Sequence, residues 1–365
     1  MGAIKIRLAT DADNEKIMDL ARRCPQKGMI TFFPNRTPRF NSLHRLLDPD
    51  TWHYVACKDD KIIGLVGVIH FHARILDQVR KMGFIMDLRV DEAYRSGLTA
   101  FRLVKTIVDH LLGIGVDMVI SNFIKDNKAS LVFTSGRGGI PVAHHLGDNR
   151  FLNIIPIVSM RLNKRFTIEK PTTEDIPELL QLYRNYAANF KIAPEINEER
   201  FRNYVENIEG LSLDQFIVAR ENGKIKAVTA MWDEHTYNSY TVLEMNFTSK
   251  VIVGILKFLS LFMRVPHPVS LNEPLRQLAL VLYAHDDCPE ALDTLFRHAN
   301  NINLGAEYTL ITLHAQQNDP VFNFLKKFKT ITITSQMFFF YPDPGFYEKL
   351  KNDPSPVLFD LALTL

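Results

Sequence analysis

The chain has 365 residues, 46% hydrophobic and 23% charged, with 43 basic against 41 acidic side chains and a formal net charge of +2. That is ordinary globular composition, long enough for two domains, and its charge balance excludes a strong field for nucleic acid. Three scattered cysteines (Cys24, Cys57, Cys288) form no CxxC pair, which argues against a disulfide framework or cysteine zinc site and fits a reducing, cytoplasmic compartment.

The opening MGAIKIRLAT has no signal-peptide apolar region, and Ile6 breaks the myristoylation pattern. From Ile6, IRLATDADNEKIMDLAR reads as a strand, a Thr/Asp turn and an amphipathic helix. VACKDDKIIG, from Val55, reads as a hairpin turning at Asp59-Asp60. GVIHFHARI carries His70 and His72 two apart, so on one face of a strand. A strand-like run ends at Val90, followed by Arg95-Ser96-Gly97 and a helical pattern to about residue 112. MVISNFI, 118–124, reads as a buried strand, PVAHHLGDN as a loop holding His144 and His145, and IIPIVSMRL as a strand.

The pattern then starts again. IEKPTTEDIPELLQLYR, from Ile168, matches the first segment, Thr172 for Thr10, Asp175 for Asp13, Leu182 for Leu20 and Arg184 for Arg22. VARENGKIKA repeats the hairpin with an Asn222-Gly223 turn, and GAEYTLI, from Gly305, repeats GVDMVIS, from Gly115. The polar stretch RLNKRFTIEKP, 161–171, separates the copies, giving domains 1–163 and 164–365. The spacing between matched segments grows along the chain, which places an insertion in the second copy around 235–275. Inside it, VIVGILKFLSLFMRV, 251–265, is too short for a membrane span of roughly 20 residues. Its positive charge is too sparse for a membrane-surface helix, so a buried or partner-facing helix is expected. MFFFYPDPGFY, 337–347, reads as the last strand and its exit turn.

The turn after Val90 has two readings. Ser96 can simply cap a helix. Alternatively, unpaired N–H groups at the helix start, with the positive dipole end behind them, hold an anion. Small residues let the backbone approach closely, and Arg95 adds charge. Val90-Asp91-Glu92-Ala93-Tyr94-Arg95-Ser96-Gly97-Leu98-Thr99-Ala100, with the strand and helix order around it, resembles the core motif of the GCN5-related N-acetyltransferase (GNAT) superfamily. Val90, Arg95 and Ala100 fit that motif, whereas Leu98 stands at its central glycine and Gly97 one place earlier.

The resemblance implies an α+β fold of two tandem acyl-CoA N-acyltransferase-like domains, each a mixed, splayed central sheet flanked by helices. It implies acetyl-CoA, or another acyl-CoA, as co-substrate and direct transfer in a ternary complex to a primary amine on a small molecule or peptide. Coenzyme would meet Leu88, Arg89 and Val90 at its acyl and pantetheine end. Arg95, Ser96, Gly97, Leu98, Thr99 and Ala100 would hold the pyrophosphate, with Asn127 on the following segment. The tyrosine that protonates the departing thiolate in similar enzymes has no counterpart: Asn127 in register sets Thr134 there, Ala129 sets Phe133. The second copy's turn, Tyr283 to Glu290, holds Asp286, Asp287 and Glu290 and no glycine, so no coenzyme is expected there.

Val90 N–H is the expected oxyanion donor, again from the resemblance. The base is open among His70, His72 and Asp87, since a family Glu or His on Val90's face would fall at Met86 or Phe84. His144 and His145 could border the substrate, and Glu92 and Tyr94 flank the turn. His70 and His72 lack a third metal ligand, so no metal is expected. No nucleic acid or membrane span is expected, and a homodimer is left open because a tandem repeat can satisfy its own interfaces. The competing reading is a catalytically inactive ligand-binding or regulatory protein that kept the fold.

Overall fold

The computed structural model describes residues 3–95, 98–125, 132–262, 265–340 and 344–360. The first half contributes β1 Lys5–Leu8, α1 Asn14–Arg23, β2 Ile30–Arg36, α2 Ser42–Leu47, β3 Trp52–Lys58, β4 Lys61–Ile75, β5 Gln78–Val90, α3 Thr99–Gly113, β6 Met118–Ile124 and β7 His144–Ile154. The second half contributes β8 Thr167–Glu169, α4 Ile176–Ala187, β9 Ile192–Pro194, α5 Glu198–Asn207, β10 Phe216–Glu221, β11 Lys224–Trp232, β12 Asn238–Met245, α6 Phe247–Leu259, β13 Gln277–His285, α7 Pro289–Ile302, β14 Leu310–Gln316, α8 Phe322–Leu325, β15 Thr330–Phe340 and α9 Pro344–Asn352.

One mixed sheet runs through both halves in the order β1-β3-β4-β5-β6-β15-β7-β14-β13-β11-β10-β8. Read from either end, each edge strand leads through an antiparallel ladder to one parallel pair, β5 with β6 and β13 with β14. The two halves then exchange their last strands. β15 pairs antiparallel with β6, β7 pairs antiparallel with β14, and β15 and β7 pair with each other. Phe338 and Phe340 on β15 pack into the first half's core with Leu103 and Ile107, while Leu152 and Ile154 on β7 pack among Leu292 and Phe296 of the second.

Both expected hairpins form: Lys58 pairs with Lys61 and Glu221 with Lys224, and Asn222 and Gly223 both take positive φ, 51° and 78°. The repeated Thr/Asp turns form twin capping boxes, Thr10 with Asp13 and Thr172 with Asp175. α1 packs on one face through Ile17 and Leu20 against Val55 and Ile62, and α3 on the other through Leu103 and Ile107 against Ala56 and Ile63.

Three expectations are corrected. His144 and His145 open β7 rather than sitting in a loop, and that strand ends at Ile154, so IIPIVSMRL is not a strand. Pro156 has no N–H for a ladder at that point. Phe84 and Met86 do not share Val90's face. A bulge at Asp87 (φ 57°) shifts the β4–β5 register between Leu65 and Gly67. Phe84 and Met86 therefore pack with Phe339 and Phe359, while Val90 packs with Leu103 and Phe338. The apolar 251–265 run is only half covered: Val253 and Leu256 are buried, while Val251, Ile255 and Phe258 are exposed.

Candidate active site

The site begins where β5 leaves β6. Their parallel pairing runs from Met82 opposite Met118 to Ile85 opposite Ser121 and stops, and β6 continues beside β15 instead. Ser121 Oγ donates to Ile85 O at 3.2 Å at that last step. Beyond it Met86–Val90 bound an open wedge. Asp91 N donates to Ile63 O at 2.9 Å, so the next pair, Gly64 opposite Val90, is of the non-bonded kind. Val90 N–H and C=O consequently face the wedge rather than β4. Arg95 Nε donates to Val90 O at 2.9 Å, which ties the turn to the strand end.

At the wedge's far end α3 begins. Its first turn holds no acid, and its N-cap, Leu98, makes no side-chain hydrogen bond and is 72% exposed. The Leu98 side chain thus points to solvent. Thr99 is buried and Ala100 half-buried. Ser96, Gly97 and Asn127 lie outside the described residues.

The bulge places Asp87 under β2. Arg36 grips both oxygens of Asp87, its Nη2 at 3.0 Å from Oδ1, and Arg89 Nη2 stands 3.7 Å from the same oxygen. Burial alone would push the Asp87 carboxyl up; the charges of Arg36 and Arg89 overcome it and hold it well below the usual carboxylate range. Arg89 also donates to Cys24 O at 3.0 Å. From Arg36 the network crosses into the second half: Nε donates to Asn238 Oδ1 at 3.2 Å, and Asn238 Nδ2 to Glu234 Oε2 at 3.2 Å. Gln277 Nε2 reaches Glu234 Oε1 at 2.6 Å. Burial raises the Glu234 carboxyl from 4.5 to about 7, outweighing its two hydrogen bonds. β2 and β12, one from each half, pair to roof this network.

His44, His53 and Asp87 present ligand atoms within 4.8 Å of one another. Two guanidiniums already supply Asp87 with positive charge, which opposes a cation there. Burial holds both imidazoles neutral, His53 down to about 4.

The expected bases do not gather at the wedge. His70 lies six residues along β4 from Gly64, about 20 Å at ~3.3 Å per residue, and His72 lies further still. His70 Nδ1 is 2.7 Å from Asp48 Oδ2, and its ring packs on Trp52. His72 is exposed, His144 stacks on Tyr347, and His145 pairs with Asp148. Lys58 stands over the Tyr94 ring. Sequence reasoning missed Arg36, Glu234 and Asn238, whose roles come from pairing across halves.

Residues 14–136 match the model of the acetyltransferase (GNAT) family. That segment, about a third of the chain, carries the likeness to the GNAT family. No curated protein matches its sequence. Among solved structures, Saccharomyces cerevisiae N-myristoyltransferase with bound myristoyl-CoA shares this fold over 93% of this chain and 83% of that chain, with TM-score 0.62 at 16% identity. A second crystal structure of that yeast enzyme with myristoyl-CoA gives TM-score 0.63 at 15% identity, covering 93% and 78%. A conserved Enterococcus faecalis V583 protein, described as a probable N-acyltransferase, gives TM-score 0.52 at 8% identity, covering 94% and 74%. These likenesses fix the tandem α+β fold, a mixed sheet flanked by helices. No helix among the described residues is long and apolar enough to cross a membrane.

Proposed function

We propose that this protein is an acyl-CoA-dependent N-acyltransferase working at the Leu88–Val90 wedge. The observation that carries the reading is the Val90 N–H facing an open wedge that ends at an acid-free helix start. The pyrophosphate would sit at the first turn of α3, with the main chain of Leu98–Ala100 and the charge of Arg95 around it. The amine lone pair attacks the thioester carbonyl carbon. The N–C bond forms, Val90 N–H donates to the developing oxyanion, and the C–S electrons leave with sulfur, which takes a proton from water. Of the buried carboxyls in the network, Glu234 has the basicity suited to accepting the amine proton near neutrality. Arg36 and Asn238 would position the acceptor, a small-molecule or peptide amine.

Acetyl, or another acyl group, is the group transferred in this reading. The second half is read as carrying no coenzyme: Asp286 is paired with Lys226, and α7 opens with Pro289, which has no N–H, and with the acid Glu290.

Calorimetric titration with acetyl-CoA and with free coenzyme A tests the reading. One site per chain is expected, and Leu98→Glu, a change at an exposed side chain, is expected to weaken both ligands about tenfold or more. Failure of the unaltered protein to bind either ligand overturns the assignment. Binding without thiol release across an amine panel would favour the inactive reading, to which the distance of His70 and His72 from the wedge also points.

A further inference from the structure

We propose that the outer face of α6 seats on an anionic phospholipid bilayer. α6 has two apolar faces. Val253 packs inward among Val242, Val269 and Leu275. On the opposite side Phe247, Val251, Ile255 and Phe258 follow one another at intervals of three or four residues, and Leu261 and Phe262 extend the stripe through the next turn. Phe247 is 81% exposed, Phe258 62% and Phe262 74%. Six large apolar side chains standing in water on one helix face mark a surface that something covers. The polar roof of the candidate active site does not use them.

Charge identifies the occupant. Residues 245–272 contain no Asp or Glu, and Lys250, Lys257, Arg264 and His267 fall among them. Lys250 and Lys257 are exposed and, seven residues apart, stand within about 20° of each other along one border of the stripe. A second copy seated through a two-fold axis would bring these lysines against their own kind with no acid to pair them. A negatively charged lipid surface complements them, and phenylalanines insert to the depth of the headgroup boundary. The sparse positive charge is sufficient because the inner face of α6 is covered by protein rather than by charged residues. α6 spans only Phe247–Leu259, so it lies on the bilayer and does not cross it. Asn246 N donates to Met29 O at 3.0 Å and Ser249 Oγ to the same oxygen at 3.0 Å, so α6 is fixed to the segment that leads into β2 and the Arg36 network. Binding would therefore hold the acceptor side of the molecule near the lipid surface.

Co-sedimentation of the full chain with vesicles decides it. Phosphatidylglycerol-containing vesicles are expected to pellet the protein and pure phosphatidylcholine vesicles to pellet it far less. Salt should weaken the binding. Val251→Asp with Phe258→Asp should abolish it, and Lys250→Glu with Lys257→Glu should lower it by about tenfold or more, given roughly fivefold per lysine. All four positions are exposed, so an unchanged melting temperature verifies the fold. Equal binding to both vesicle types, indifferent to the lysine changes, overturns the proposal. So does failure to pellet with either, and a dimer in solution that Phe258→Asp splits would then assign the stripe to a second copy. The coenzyme titration is independent of this result, so either reading can fail alone.

Discussion

Asp87 decides how β5 ends. Its positive φ shifts the side-chain alternation by one, and its carboxylate is shared by the buried guanidiniums of Arg36 and Arg89. Asp87→Asn would leave two cations facing each other in the interior, so a loss of about 3–5 kcal/mol is expected in denaturant titration. A loss under about 1 kcal/mol would mean water already compensates the arginines. Glu234 carries a pH signature. Its folded carboxyl titrates at about 7 against 4.5 ordinarily, so folding favours its protonated form. That contribution is complete below 4.5, where both states are protonated. It is lost as pH rises to about 7, because the unfolded chain ionises first. Relative to Glu234→Gln, the unaltered protein should lose on the order of 3 kcal/mol between about pH 4 and pH 8. Parallel stability curves for the two proteins would refute the raised carboxyl. If Glu234 also accepts the amine proton, the acid limb of kcat/KM near pH 7 should vanish in that variant. Neither Arg36 nor Glu234 stood out in the sequence, because each is an ordinary charged residue until β2 and β12 bring them onto one network.

The elements were more legible where their signal is local. Asn222-Gly223 between apolar runs and the twin Thr-x-x-Asp turns are read within a few residues, and both formed as expected. The wedge needed more, because a bulge has no sequence signature in MDLRV, and strict alternation put Phe84 and Met86 on the wrong face. Opposite the bulge, Gly67 shows what the local geometry requires. A Cβ there would stand 2.7 Å from both Cδ2 and Nε2 of the buried His53 ring. Gly67→Ala should therefore cost about 1–3 kcal/mol, the range for overpacking a filled core. Adding His53→Ala should return part of it, and the double-mutant cycle should show coupling above about 0.5 kcal/mol. Additive losses would mean that the strand, not the imidazole, resists the methyl group.

At the scale of the whole molecule, the repeat was visible and the exchange was not. Thr330–Phe340 alternates and ends in aromatics as a core strand should, but nothing in such a pattern names the neighbour it will pair with. The consequence is physical. Met337 and Phe339 bury themselves with Phe84 and Met118, so the first half's core is completed by the second half's last strand, and β7 returns the contribution. The chain crosses between the halves at residues 161–165, an irregular and largely exposed stretch, where a protease site can be inserted without touching a strand. After cleavage the two pieces should stay together in size-exclusion chromatography, held by both the β6–β15 and β7–β14 ladders. They should unfold in one transition, since neither half of the sheet is whole without the other's strand. Coenzyme binding should survive the cut, because the wedge and the start of α3 both belong to the first piece. Acceptor turnover should survive only while the pieces remain associated, because Arg36 lies on one and Glu234 on the other. Two separately folded pieces after cleavage would show that β15 and β7 can be replaced within each half. The exchange would then be a matter of packing preference and not a condition for folding.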